Sequence, residues 1–150
     1  YIPLPCMHCE QAPCIAVAAD DAVYRRKDGI VIIDPEKARG QKAIVNACPY
    51  RVVFWNQELE LPQKCTLCAH RLDEGEKQPR CAEACPTGAL VFGDLDDPES
   101  EAARLAGAPG SFRLLERLGT GAKVYYRTER DWVRRQADGP TAAGDGRTHG

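Results

Sequence analysis

The chain has 150 residues, enough for one domain or two very small ones, and its 20 Lys and Arg nearly balance its 22 Asp and Glu. A net charge of −2 excludes the basic footprint of a nucleic-acid-binding domain, and 28 % charged residues with no long apolar run exclude a transmembrane span. Eight cysteines against three phenylalanines point to a small core that relies on staples, either disulfide or metal.

Residues 1 to 20 are rich in Pro and Cys and read as loop with a short helix around "CIAVAAD". "AVYRRKDGIVIID" reads as a hairpin, two β-rich runs around Lys27-Asp28-Gly29 with the Asp-Gly turn signal. Asp34 is a helix N-cap candidate with Pro35 at the first position, and the helix covers part of 35–47 before Cys48-Pro49. "RVVFWN" reads as a strand onto which "ELELPQ" pairs back. "CTLCAHRLDEG" reads as a loop and helical turn closed at Gly75, within a polar, exposed stretch at 69–80. "CAEACPTGALVFGD" reads as a helical turn followed by a strand. "PESEAARLAG" and "SFRLLERLG" read as helices, and "AKVYYR" as a closing strand. The last residues lack apolar periodicity and are expected to be disordered. The expected fold class is α+β, with short helices, β-hairpins and cysteine-bearing loops. The expected organisation is a cysteine-bearing unit over 1–95, a helical and strand extension over 96–136 and a disordered tail over 137–150.

The cysteines form two groups and one singleton. Cys6, Cys9 and Cys14 are spaced C-x2-C-x4-C, and Cys65, Cys68, Cys81 and Cys85 are spaced C-x2-C-x12-C-x3-C-P. The even count permits disulfides, but pairs separated by two residues favour metal. Three thiolates in a tight loop can hold three corners of a cubane. In the ferredoxin run C-x2-C-x2-C-x3-C-P, the fourth cysteine, beside proline, ligates the other cluster. Zinc is the alternative for 65–85, where four cysteines in two close pairs can make a tetrahedral thiolate site and an interaction module without redox role.

An internal repeat assigns the singleton. "CIAVAADDAV" from 14, "NACPYRVV" from 46 and "CAEACPTGAL" from 81 align as three copies of one segment ending. Counting back from Cys48 with ferredoxin spacing, the absent ligands fall at Ile44, Gln41 and Ala38. The exchanged fourth ligand falls at Ala18. These four positions would be the ligands of one cubane, so the losses are coherent. The other cubane of the pair keeps Cys6, Cys9, Cys14 and Cys48. By the same exchange, Cys65, Cys68 and Cys81 hold a second cluster that needs a fourth ligand, and Cys85 serves a third. A four-cysteine segment before Tyr1 would complete both, since the chain starts at Tyr rather than Met and reads as a fragment. One [4Fe–4S] cluster is therefore complete in this chain and up to three are expected in the full-length protein.

His8 and His70, next to cysteines, read as hydrogen-bonding neighbours rather than ligands. Lys64 could raise a cluster's potential only if it is buried. No nucleophile–base pair or paired acid and base is evident, so no catalytic residue is assigned.

"CMHCEQAPC", "DGIVIIDPEKARG", "CPYRVVFWN", "QKCTLCAHRLDEG" and "PRCAEACP" resemble the ferredoxin-type electron-transfer subunits of molybdopterin oxidoreductases of the DMSO-reductase kind. The match covers about residues 1–95, and "LGTGAKVYYR" resembles that family's closing strand more loosely. The resemblance implies paired [4Fe–4S] ferredoxin-like modules docked on a large molybdopterin-bearing catalytic subunit, with the first cysteine segment lying before Tyr1. The expected function is electron relay to or from that subunit. A cytoplasmic setting fits assembly of thiolate clusters, with export as a folded complex as the other route.

Overall fold

The computed structural model describes residues 2–139. It is α+β, built from single helical turns and three separate two-stranded antiparallel hairpins. None of these pieces is stable alone: four-residue helices lie far below the length that supports an isolated helix, and a lone hairpin is marginal in water. They are held by what they pack against, which is why the cysteine loops at the centre matter to the whole fold.

Helix α1 (Pro13–Ala16) starts with proline at its first turn, where the missing N–H costs nothing. Strands β1 (Val23–Arg25) and β2 (Val31–Ile33) pair in the expected hairpin, with Tyr24 opposite Ile32. Gly29 takes φ +83° at the turn, and Asp28 Oδ1 accepts from Ile30 N–H at 3.2 Å. Val23 and Val31 point inward and are buried, while Tyr24 faces out.

The helix expected within 35–47 is reduced to α2 (Ala43–Asn46). Asp34 does cap, its Oδ1 accepting from Glu36 N–H at 2.9 Å and Lys37 N–H at 3.1 Å, but the chain then turns. Gly40 at φ +79° interrupts any continuous helix. Strands β3 (Phe54–Asn56) and β4 (Leu61–Gln63) pair as expected, with Trp55 opposite Pro62. Asn56 Oδ1 accepts from the N–H groups of Glu58 and Leu59, both at 3.0 Å, and so shapes the turn.

Helices α3 (Ala69–Asp73) and α4 (Arg80–Glu83) carry the second cysteine group. The 69–80 stretch is not wholly exposed: Ala69 and Pro79 are buried. Arg71 bridges Glu76 and Glu83, the latter at 2.9 Å. The strand expected after Cys85 does not form; residues 89–92 are irregular and Leu90 and Val91 are exposed. A strand needs a ladder partner, and residues 89–92 pair with none of the three hairpins.

Helix α5 (Glu101–Ala106) is capped as expected, Ser100 Oγ accepting from Ala103 N–H at 3.0 Å. "SFRLLERLG" is not a helix. Its start is strand β5 (Ser111–Phe112), paired with β6 (Tyr126–Arg127), and its end is a 3-10 turn (Glu116–Leu118). Leu115 at φ +50° separates the two, and β6 claims the backbone of β5. A last helix, α6 (Asp131–Gln136), follows, and Ala137 behind it is buried. Leu115 N–H donates to Ala137 O at 2.9 Å. The remainder of the 137–150 tail lies outside the described residues.

The main core runs through Met7, Ala22, Val23, Val31, Ala38, Ile44, Val53 and Ala122. It lies under the first cysteine group and takes nothing from residues 65–110.

Candidate metal centre

Cys6, Cys9, Cys14 and Cys48 line one cleft. Its remaining wall is mostly apolar and includes Met7, Ala12, Val31 and Val53. The first three cysteines arrive on the loop before α1 and on α1 itself. Cys48 arrives 34 residues after Cys14, on the turn that ends α2. The structure therefore brings together the four cysteines that the repeat grouped. All eight cysteines are free thiols. Among the described residues no three His, Cys, Asp or Glu side chains form a group for a metal ion.

Three of the four cysteines are buried and Cys48 is half-buried. Cys6, Cys9 and Cys14 are 8 %, 7 % and 8 % exposed. Burial pushes their thiols up, Cys14 to about 11, while the Lys64 ammonium works against that rise at Cys6 and Cys14. Thiolate in such a cleft needs a bound cation to compensate it. That donor set, four thiols around an apolar space, fits a cubane.

The two C-x2-C loops share a local geometry. His8 N–H donates to Cys6 Sγ at 3.5 Å, and Leu67 N–H donates to Cys65 Sγ at 3.4 Å. Each donor lies two residues after its sulfur, and both take positive φ, His8 at +43° and Leu67 at +51°. The left-handed residue turns the N–H back on the first sulfur, so the loop is shaped to receive a thiolate.

His8 is fully inside. Its Nδ1 accepts from Val31 N–H at 3.0 Å, so Nε2 carries the proton, and Nε2 has no partner among the described residues. Burial, and secondarily Lys64, pulls its pKa down to about 3, which keeps the ring neutral. It anchors the cysteine loop to β2, the hydrogen-bonding role expected of it. His70 lies exposed on α3.

The second group is more open. Cys65, Cys68 and Cys85 are half-buried and Cys81 is exposed. Cys85 is pulled down to about 7 by the Thr87 hydroxyl and the N–H groups of Leu90, Thr87 and Ala89. Its sulfur lies 3.6 Å from Thr87 Oγ1. The C-P-T-G turn thus gathers donors around a sulfur that the cleft of the first group does not include.

Two features near the first cleft were not placed there by the sequence reading. Residues 120–123 strap the cysteine loop: Glu10 N–H donates to Gly121 O and Gln11 N–H to Thr120 O, both at 2.9 Å, and Lys123 N–H to Met7 O at 2.8 Å. Gly121, at φ +62°, has no room for a Cβ, which would lie 2.7 Å from Glu10 Cβ. The Gly119-Thr120-Gly121 run was the available signal for such a close approach. The Thr120 hydroxyl sits 2.6 Å from Tyr50 OH and works against the rise of the Cys9 thiol. Lys64 is the second feature, buried in the cleft wall.

The four positions without cysteine are also gathered. Ala38 and Ile44 are 0 % exposed and Ala18 packs against the same core. The Gln41 carboxamide accepts from Ala19 N–H at 2.9 Å and donates to Ala19 O at 3.3 Å and Lys37 O at 2.8 Å.

Residues 1–95 match the family model described as a 4Fe-4S dicluster domain. Over 130 residues the chain is 47 % identical to the pyrogallol hydroxytransferase small subunit of Pelobacter acidigallici, covering 85 % of this chain and 46 % of that protein. It is 38 % identical over 143 residues to a putative dimethyl sulfoxide reductase iron-sulfur subunit of Halobacterium salinarum, covering 84 % and 54 %. It is 41 % identical over 127 residues to a tetrathionate reductase subunit of Salmonella typhimurium, covering 83 % and 50 %. The chain spans about half the length of these curated relatives. The matches are to iron–sulfur proteins and give the zinc alternative no support.

Proposed function

This chain belongs to the 4Fe-4S dicluster domain family, and on that footing we propose that it relays electrons within a larger iron–sulfur subunit. Cys6, Cys9, Cys14 and Cys48 hold one [4Fe–4S] cluster. Cys65, Cys68 and Cys81 supply three ligands of a second, and Cys85 supplies one of a third. The observation that carries this reading is the single cleft lined by cysteines from two repeats.

When bound, a cubane supplies one-electron redox chemistry over a range of about −700 to +450 mV, set by its surroundings. The four thiolates fix its position, and Cys48 ties the second repeat to the first. Met7, Val31 and Val53 keep water from the sulfurs. The N–H groups of His8 and Leu67 stabilise charge on Cys6 and Cys65. The partner in this proposal is a large molybdopterin-bearing catalytic protein, which performs the substrate chemistry. No helix among the described residues is long and apolar enough to cross a membrane. A cytoplasmic site of assembly is part of the same proposal.

The test is anaerobic purification of the intact protein that carries this chain. Iron and acid-labile sulfide in equal amounts are expected, with a brown absorption that bleaches on reduction. Colourless protein with stoichiometric zinc and no iron would end the proposal.

A further inference from the structure

Lys64 is the buried cation of the first cleft. It is 9 % exposed and stands in the wall that Cys6, Cys9, Cys14 and Cys48 line. Its Nζ donates to the carbonyl of Val31 and, at 3.2 Å, to that of Cys65. Among the described residues no carboxylate pairs with it; the other basic side chains that form ion pairs do so at the surface or around α3. An ammonium taken out of water is costly unless an anion compensates it, and two neutral carbonyls do so only in part.

The anion is supplied by the thiolates. The Lys64 charge acts on Cys6 and on Cys14, two of the four sulfurs around the cleft. A cubane with four thiolates carries net negative charge and gains one more unit when it takes up an electron. A fixed positive charge at its edge stabilises the reduced form more than the oxidised form.

We infer that Lys64 is a positioning charge for electron transfer, held in the cleft wall to raise the reduction potential of the cluster bound by Cys6, Cys9, Cys14 and Cys48. The inference rests on the cluster reading proposed above. Two structural details distinguish Lys64 from a packing lysine. Its head group is locked by carbonyls from β2 and from the second C-x2-C loop, so the charge cannot swing away to water. It also directly precedes Cys65, which places one cation between the two cysteine groups. The cluster of the first cleft, which Lys64 lines, is the one whose potential it sets.

The experiment is an EPR-monitored redox titration of the intact protein carrying this chain, as wild type and as Lys64→Met, Lys64→Gln and Lys64→Arg. The signal of the first cluster is the one that Cys48→Ala removes. The neutral variants are expected to make its reduction about tenfold less favourable, which is about 59 mV lower for one electron. Lys64→Arg is expected to stay close to wild type. Loss of that cluster from both neutral variants, with retention in Lys64→Arg, also supports the inference, since charge is then what the site needs. Full iron content with an unchanged midpoint in Lys64→Met overturns it, as does loss of the cluster from all three variants. A wild-type protein without cubane iron would defeat the cluster reading itself, a different result from an unchanged midpoint.

Discussion

The cleft lined by Cys6, Cys9, Cys14 and Cys48 and the corner at Ala18, Ala38, Gln41 and Ile44, which the proposed repeat pairing puts in equivalent places, are built by opposite means. The cleft is lined by sulfur and apolar side chains, with a buried ammonium in its wall. The corner is closed by two fully buried side chains and a carboxamide that bridges Ala19 and Lys37. Each repeat needs something at its centre to join segments that no regular element joins. A cubane does this through four bonds to sulfur, and Ile44 with Gln41 does it through packing and hydrogen bonds. On the proposed reading, the architectural task and the redox task are therefore separable, and the corner performs only the first.

Removing a ligand from the cleft should have the largest effect. Cys48→Ala should remove the cluster held by Cys6, Cys9 and Cys14, although Cys48 lies in the other repeat. Iron analysis and the reduced-state EPR spectrum check it, with the signals assigned to Cys65, Cys68 and Cys81 persisting. Unchanged iron would mean that the cysteines facing one cleft do not share one cluster.

The matching lesion in the corner removes packing instead. Ile44 is wholly buried, so Ile44→Ala should destabilise the fold by about 2–5 kcal/mol through lost burial and the void left behind. Denaturant unfolding of the cluster-loaded protein measures this. Iron content before the transition should match wild type, because Ile44 has no assigned ligand role. A loss below about 1 kcal/mol would show that the corner collapses easily and that its packing is not what replaces the cubane.

Why one site could be read from the sequence and the other only in part follows from the same contrast. The repeat and the ferredoxin exchange of fourth ligands grouped Cys48 with Cys6, Cys9 and Cys14 without any knowledge of the path between them, and all four line one cleft. The hairpin at Asp28-Gly29 was legible for a similar reason, since its turn chemistry is local. The four non-cysteine positions were legible as absences. What fills them depends on packing, which no short motif encodes. The failures were tertiary as well. "SFRLLERLG" carries helical composition, yet Ser111 and Phe112 pair with Arg127 and Tyr126 from a strand fourteen or more residues on. The run after Cys85 has β-rich composition and no ladder partner. Lys64 could not be judged until its exposure was known.

The smallest expected effect is at Gln41. Its carboxamide makes three hydrogen bonds, but the group is only half-buried and water can replace what is lost. Gln41→Ala should therefore cost about 1–2 kcal/mol, near the net value of one or two ordinary hydrogen bonds. Gln41→Glu is the sharper variant. It keeps the acceptor for Ala19 N–H but turns the Nε2 donor into a carboxylate oxygen facing the carbonyls of Ala19 and Lys37. Repulsion there should make it less stable than Gln41→Ala when both are unfolded at neutral pH, and the gap should close in acid as the carboxylate protonates. If Gln41→Ala costs more than Ile44→Ala, the corner is held by its polar bridge, and the amide rather than the apolar plug has taken over the cluster's joining role.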